Sequence, residues 1–115
     1  MHNALLQAEK LGMDCVQVFT KNQQQWKCTP LADEAIASWR QHCDRLAFEH
    51  TVSHDSYLIN LASPDEALRR KSIELFVEEL SRCVALRIPY LVTHPGAHMG
   101  EGEEAGLNRV AESLD

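Results

Sequence analysis

Two apolar stretches that each end on a histidine constrain the fold of this chain most. Val52-Ser53 leads into His54 and a polar loop, and Tyr90 to Thr93 leads into His94 and a glycine-bearing loop. A long amphipathic segment lies between them, so the order is strand, loop, helix, strand, loop. Parallel strands that alternate with helices end at one rim, where α/β barrels carry their chemistry. The two imidazoles are therefore predicted to lie side by side.

The remainder of the chain continues this alternation of helices and strands. The third helix is expected to begin at Ser63-Pro64-Asp65-Glu66, with Ser63 as the cap and Pro64 in the first helical position. Together the patterns predict an α/β fold with about three parallel strands and flanking helices. The expected helices are about 1–11, 32–46, 64–86 and 104–114, and the expected strands are about 15–19, 48–53 and 89–93.

Helical periodicity also predicts which side chains face the sheet. In the second helix the predicted inner stripe is Ile36, Trp39, Cys43 and Leu46. In the third helix the predicted inner face is Ile73, Phe76, Val77, Leu80 and Val84. The residues expected to face water there are Arg69, Arg70, Glu74, Glu78 and Glu79.

Three parallel strands cannot close into a barrel, and a sheet of this kind is normally covered on both faces or closed. A complete (β/α)8 barrel takes about 250 residues. We therefore expect residues 1–115 to be a single, incomplete segment of a TIM-type (β/α)8 barrel domain. The first strand and the C-terminal half are expected to be missing from it.

The composition restricts the classes of partner. The formal net charge is −6 and the pI is near 5.4, which argues against binding nucleic acid by bulk attraction, so that any such contact must be local. No leader-like segment begins the chain and no apolar run approaches the roughly 18 residues of a membrane span, which predicts a cytoplasmic protein with no membrane partner. Four cysteines without a Cys-x-x-Cys pair are expected to be reduced and mostly buried thiols.

His54 and His94 are the best candidates for metal ligands, because zinc takes imidazole nitrogen and two of them end neighbouring strands. A structural, hydrogen-bonded histidine is the alternative for each. Asp55 could hold the second ring nitrogen of a ligand histidine, or be a solvated acid in a turn. His98 would lie behind the metal ligands or face a phosphate, or be purely structural.

Two loops carry candidate contacts to nucleic acid. Tyr57 and Leu58 would form an apolar wedge of the kind that enters a base stack if they are exposed, or would pack under their loop if they are not. The segment 21–27 offers two lysines, four side-chain amides and Trp26, which suit backbone and base contacts. A solvated surface loop is the alternative there.

Three segments together resemble successive motifs of endonuclease IV, the zinc-dependent apurinic/apyrimidinic endonuclease family. They are Phe19 to Trp26, His54 to Leu61, and His94 to His98, in matching order and spacing along the chain. The resemblance implies a TIM-type barrel with up to three zinc ions, among whose ligands would be His54 and His94.

The resemblance also implies which residues touch DNA. Tyr57 and Leu58 would enter the duplex at the lesion. The loop against the DNA would contain Lys21, Asn22, Gln24 and Trp26. Gln24 occupies a place where relatives often have arginine, so this chain offers an uncharged amide there instead of a cation.

The implied activity is that of a DNA-repair phosphodiesterase. It would incise double-stranded DNA 5′ to abasic sites and leave a 3′-hydroxyl, as a monomer when complete. The other ligands in this family come from strands outside residues 1–115, so the isolated chain is expected to bind zinc weakly and to cleave nothing. Two other classes stay open: a metal-dependent sugar isomerase or epimerase on the same barrel, and a non-catalytic half-barrel remnant.

Overall fold

The computed structural model describes residues 1–115 and contains four helices and three strands in strict alternation. The order confirms the predicted arrangement of a partial barrel. The elements are α1 (Asn3–Lys10), β1 (Gln17–Val18), α2 (Asp33–Leu46), β2 (Val52–His54), α3 (Glu66–Leu86), β3 (Tyr90–Val92) and α4 (Glu103–Leu114).

The three strands form one parallel sheet in the order β1-β2-β3. Val52 pairs with Tyr90, and His54 pairs with Val92. One further backbone bond extends this ladder, from the Asp55 N–H to the Val92 carbonyl at 3.0 Å. Because the strands are parallel and in this register, the loops that follow them all leave from the same edge.

The two faces of the sheet differ in environment, as the two-residue period of a strand requires. Val18 and Ser53 are buried on the side that carries the helices. Tyr90 and Val92 are exposed on the other side, which would be the interior of a closed barrel. His54 belongs to the same alternation as Val92, with which it pairs.

The main apolar core lies between the sheet and the first three helices. Trp39 of α2 is fully buried at its centre, and the predicted partners on α2 pack against it, so the predicted inner stripe of this helix is confirmed. The buried members of the cluster are Leu5, Val18, Trp39, Cys83, Leu86 and Ile88.

The start of α3 differs from the prediction. Asp65 is the cap, and its carboxylate accepts the Leu68 N–H at 3.0 Å. The Ser63 hydroxyl oxygen instead accepts the Asp65 N–H at 3.2 Å, within the preceding turn. The prediction of Ser63 as cap and Pro64 as first helical residue is therefore wrong by two positions, because both polar side chains suit a cap and the aspartate takes that role.

The predicted inner face of α3 is also wrong in large part. Val77, Leu80 and Val84 are 54%, 42% and 78% exposed, whereas Glu79 is fully buried. The buried face consists of Ser72, Leu75, Glu79, Arg82, Cys83 and Leu86. Polar groups occupy it because they bind the loops above the sheet: the Glu79 carboxylate accepts the Thr20 hydroxyl at 2.9 Å and the Ser56 N–H at 3.1 Å. The spacing of apolar side chains in the sequence does not show these hydrogen bonds.

All four cysteines are free thiols, as predicted, but most of them are not buried. Cys83 is buried, Cys28 and Cys43 are half-buried, and Cys15 is exposed. The expectation of mostly buried thiols is therefore wrong. None of the four helices combines the length and the apolar character that crossing a bilayer demands.

Asn60 fastens the loop after β2 to the loop after β3. Its Oδ1 accepts the N–H groups of Ala62 and Ala97 at 3.1 and 3.0 Å, and its Nδ2 donates to the Ala97 carbonyl at 3.1 Å. Gly96 has φ +109°, and a Cβ at that position would lie 2.2 Å from Asn60 Oδ1. Only glycine fits beside this clamp.

Gly96→Ala is expected to lower the free energy of unfolding by about 2–4 kcal/mol, since it adds backbone strain and displaces the Asn60 bonds. Gly100→Ala is the matched control: Gly100 has φ +91° but no atom within 4 Å of an added Cβ. It should cost only the left-handed backbone strain, about 1–2 kcal/mol. Urea unfolding measures both, and equal losses would contradict the clamp.

The buried carboxylate predicts a pH dependence. Burial raises the pKa of Glu79 above its ordinary value of 4.5. The Thr20 hydrogen bond and the Lys21 charge oppose this shift but are smaller effects. The folded state therefore holds this proton to higher pH than the unfolded state, so the contribution of Glu79 to stability falls as pH rises above 4.5. As the pH rises above 4.5, the free energy of unfolding of the wild-type chain, measured by urea titration, should therefore fall relative to that of Glu79→Gln. A wild-type chain that gained stability relative to the variant as the pH rose would refute this.

Candidate metal and nucleic-acid site

The histidines that end the second and third strands lie together at the edge where the strands end. The ring centroids of His54 and His94 are 5.1 Å apart, with the ring planes at 49°. His54 is buried at the end of β2, and His94 is exposed two residues beyond β3. The two imidazoles therefore lie side by side at the rim where the strands end, as predicted. We call this region the mouth.

A backbone contact fixes the tautomer of His54. Its Nδ1 lies 2.9 Å from the carbonyl oxygen of Asp55. A carbonyl oxygen can only accept, so Nδ1 carries the hydrogen and donates it. In the neutral ring the lone pair is therefore on Nε2, which is the arrangement that a metal-binding imidazole needs.

Asp55 lies beneath the histidine pair and is not a solvated acid. It is buried, its Oδ1 is 3.6 Å from His54 Nδ1, and its Oδ2 accepts the hydroxyl of Thr93. Burial raises the pKa of Asp55, and the hydrogen bond from the Thr93 hydroxyl opposes part of that shift. The carboxylate thus ties the end of β2 to the residue that precedes His94.

Tyr57 stands at the same mouth and is exposed. It is 67% accessible to solvent, and its ring centroid lies 5.3 Å from that of His54 and 6.4 Å from that of His94. Phe19 backs both His54 and Tyr57, at 5.7 and 6.0 Å. Leu58 beside it is half-buried. Tyr57 is therefore exposed, as a side chain that enters a base stack must be.

A cleft of about 270 Å³ separates the loops after β2 and β3. Asp55 and Tyr57 line one wall, and His94 and Gly96 line the other. The cleft therefore lies beside His94, one member of the histidine pair.

The loop after β1 presents only some of its predicted contact residues to solvent. Asn22 and Gln24 are exposed, and Asn22 Oδ1 accepts the Gln24 N–H at 2.9 Å. Lys21 Nζ donates to the carbonyls of Asn22 and Gln25 within its own loop. Trp26 is half-buried against the core, and Lys71 Nζ lies 4.4 Å from the centroid of its ring.

His98 serves the start of α4. Its Nδ1 accepts the N–H groups of Gly100 and Gly102 at 3.2 and 3.1 Å. Gly106 packs closely on it, since a Cβ there would lie 2.9 Å from His98 Cβ. These contacts hold the ring against α4.

The side chains fit part of a metal site. Two imidazoles lie at the mouth, one of them in the tautomer suited to coordination, and zinc accepts nitrogen donors. No three side chains of His, Cys, Asp or Glu come together in a way that could hold an ion. His54 and His94 therefore fit two ligand positions.

The sequence patterns did not single out several residues that support this site. Glu79 and Arg82 hold the loops from α3, and Asn60 and Thr93 hold them from the edge of the sheet. A signal for Glu79 was present, since it lies four residues from both Leu75 and Cys83. The hydrogen bonds that make such burial favourable are not visible in a sequence.

Comparison with known proteins identifies the relatives of this chain. The family model described as "Xylose isomerase-like TIM barrel" matches residues 5–115. "Probable endonuclease 4" of Chloroflexus aggregans is 52% identical over 106 residues, which are 92% of this chain and 37% of that protein. "Probable endonuclease 4" of Citrifermentans bemidjiense is 40% identical over 115 residues, which are 100% of this chain and 41% of that protein.

A solved structure gives the same result. Endonuclease IV from Thermus thermophilus superposes with a TM-score of 0.81 at 26% identity, over 97% of this chain and 40% of that one. The chain thus spans about two fifths of the length of the relatives it matches. The matches confirm the resemblance that the three sequence motifs indicated. The chain belongs to the xylose isomerase-like TIM-barrel family and, within it, is similar to endonuclease IV.

Proposed function

We propose that this chain forms part of the active site of a zinc-dependent DNA-repair endonuclease that incises double-stranded DNA 5′ to abasic sites and leaves a 3′-hydroxyl. The observation that carries the proposal is the meeting of a histidine pair and an exposed aromatic ring at one mouth. The names of the relatives support the same class of activity.

The histidines would hold zinc. His54 would use its Nε2, because its Nδ1 donates to the Asp55 carbonyl, and His94 lies beside it. Bound zinc supplies a Lewis acid that lowers the pKa of a water molecule and stabilises charge on phosphate oxygens. Asp55 and Thr93 would keep the two imidazoles in place.

Tyr57 and Leu58 would occupy the gap that a missing base leaves in the duplex. An abasic nucleotide has no pairing to lose, so opening the stack there costs less than elsewhere. Tyr57 is the exposed member and Leu58 is half-buried. Gln24 and Asn22 would contact the DNA alongside, with Lys21 and Trp26 shaping their loop.

The proposed site is local and incomplete within residues 1–115. The net charge of −6 provides no general attraction for DNA, so the contacts must come from these loops and from bound cations. Two imidazoles without carboxylate bridges should bind zinc weakly and should not support cleavage. A binding assay therefore tests this chain better than an incision assay.

We expect the chain to bind a duplex with one abasic site more tightly than the same duplex with an intact base pair, as measured by fluorescence anisotropy at low salt. Tyr57→Ala should reduce this preference by about tenfold, because an inserted aromatic ring contributes about 1–3 kcal/mol. Tyr90→Ala is the matched control, since Tyr90 is an exposed tyrosine at the opposite end of β3.

Two outcomes would count against the proposal. If both tyrosine variants lowered the preference equally, Tyr57 would have no special place at the lesion. If the chain bound a ketose sugar and showed no preference for abasic DNA, the sugar isomerase class would replace the nuclease class.

A further inference from the structure

Glu79 is a buried carboxylate that reaches two different loops. It lies in the middle of α3 and is fully buried. Its Oε2 accepts the hydroxyl of Thr20, in the loop after β1, at 2.9 Å. Its Oε1 accepts the backbone N–H of Ser56, in the loop after β2, at 3.1 Å. One side chain on the helix-covered side of the sheet thus joins the two loops above it.

Arg82 holds the same corner from the next turn of α3. It is buried and donates to the Thr20 carbonyl, to the Thr20 hydroxyl at 3.3 Å, and to the Thr29 carbonyl at 2.9 Å. The guanidinium therefore fixes both ends of the loop after β1. Thr20 lies between the two charged groups, accepting from Arg82 and donating to Glu79.

The two loops also touch each other directly. The Ser56 hydroxyl donates to the Gln23 carbonyl at 3.1 Å. Ser56 is thus held on its backbone by Glu79 and on its side chain by the neighbouring loop. The next residue is the exposed Tyr57, and the exposed Gln24 follows Gln23. The Ser56–Gln23 hydrogen bond therefore lies one residue from exposed Tyr57 and one residue from exposed Gln24.

Burying a carboxylate at this position of α3 has a free-energy cost. An unpaired buried carboxylate is strongly unfavourable, and an apolar side chain would pack at an inner helix position without that penalty. Glu79 has two hydrogen-bond donors, and each comes from a different loop. What the carboxylate provides is a fixed relation between those loops.

We propose that Glu79 is a positioning residue that couples the loop after β1 to the loop after β2, so that Gln24 and Tyr57 present one fixed arrangement to the ligand. The identity of that ligand, abasic duplex DNA, rests on the proposed function. Glu79 acts through Thr20 and Ser56 and does not reach the mouth itself.

Amide hydrogen exchange tests the coupling without DNA. Thr20→Val removes the hydroxyl from the first loop and keeps the shape. Loss of the Thr20–Glu79 hydrogen bond should then raise amide exchange in the second loop, at residues 56–59, by about tenfold. Thr20→Ser keeps the hydroxyl and should exchange at the wild-type rate. Faster exchange confined to the first loop, or raised equally throughout α3, would overturn the coupling.

DNA binding tests what the coupling serves. Glu79→Gln replaces one acceptor oxygen by a donor and should reduce the preference for an abasic over an intact duplex severalfold. Glu74→Gln, the same change at an exposed site on α3, should not. In a Tyr57→Ala background the Glu79→Gln effect should be clearly smaller, because the part that acts through the second loop is already lost and only the part that acts through Gln24 remains. A full effect in that background would contradict the positioning role.

The two hypotheses fail in different ways. A wild-type chain with no preference for abasic DNA overturns the proposed function, and the exchange rates at residues 56–59 then decide the coupling alone. Normal abasic preference with no response of the second loop to Thr20→Val overturns the coupling and leaves the proposed function standing.

Discussion

The parallel register of β2 and β3 is the constraint on which the rest of the structure depends. Because His54 pairs with Val92, the end of one strand lies beside the end of the next, and His94 follows two residues later. This register brings the two ring centroids to 5.1 Å from each other. A shift of one residue would turn His54 to the face that packs against the helices.

Above the strands, polar side chains set the shape of the mouth. Asp55 and Thr93 tie the ends of β2 and β3, Asn60 ties the loops that follow them, and Glu79 ties the loop after β2 to the loop after β1. The apolar core fixes where the strands lie, whereas these bonds fix how the loops leave them. Exposed Tyr57 belongs to the loop after β2, which the hydrogen bonds of Glu79 and Asn60 hold in place.

The sequence predicted most of the fold and the placement of the histidine pair, because strand, helix and turn preferences are local and the rim of a parallel sheet follows from topology. It failed on α3, where Glu79 was expected in water and Val84 inside. Burial there follows from hydrogen bonds to loops that are distant in the chain, which periodicity does not detect. The roles of Tyr57 and Gln24 at DNA stay predictions.

Zinc binding in a double-mutant cycle shows whether His54 and His94 act as one pair where β2 and β3 end. Zinc affinity would be measured by competition with a chromophoric chelator for His54→Ala, His94→Ala, the double variant and the control His50→Ala. Because both imidazoles would bind the same ion, we expect either single change to lower zinc affinity to the level of the double variant and His50→Ala to leave it unchanged. Losses that add independently, or an unchanged affinity in either single variant, would contradict it.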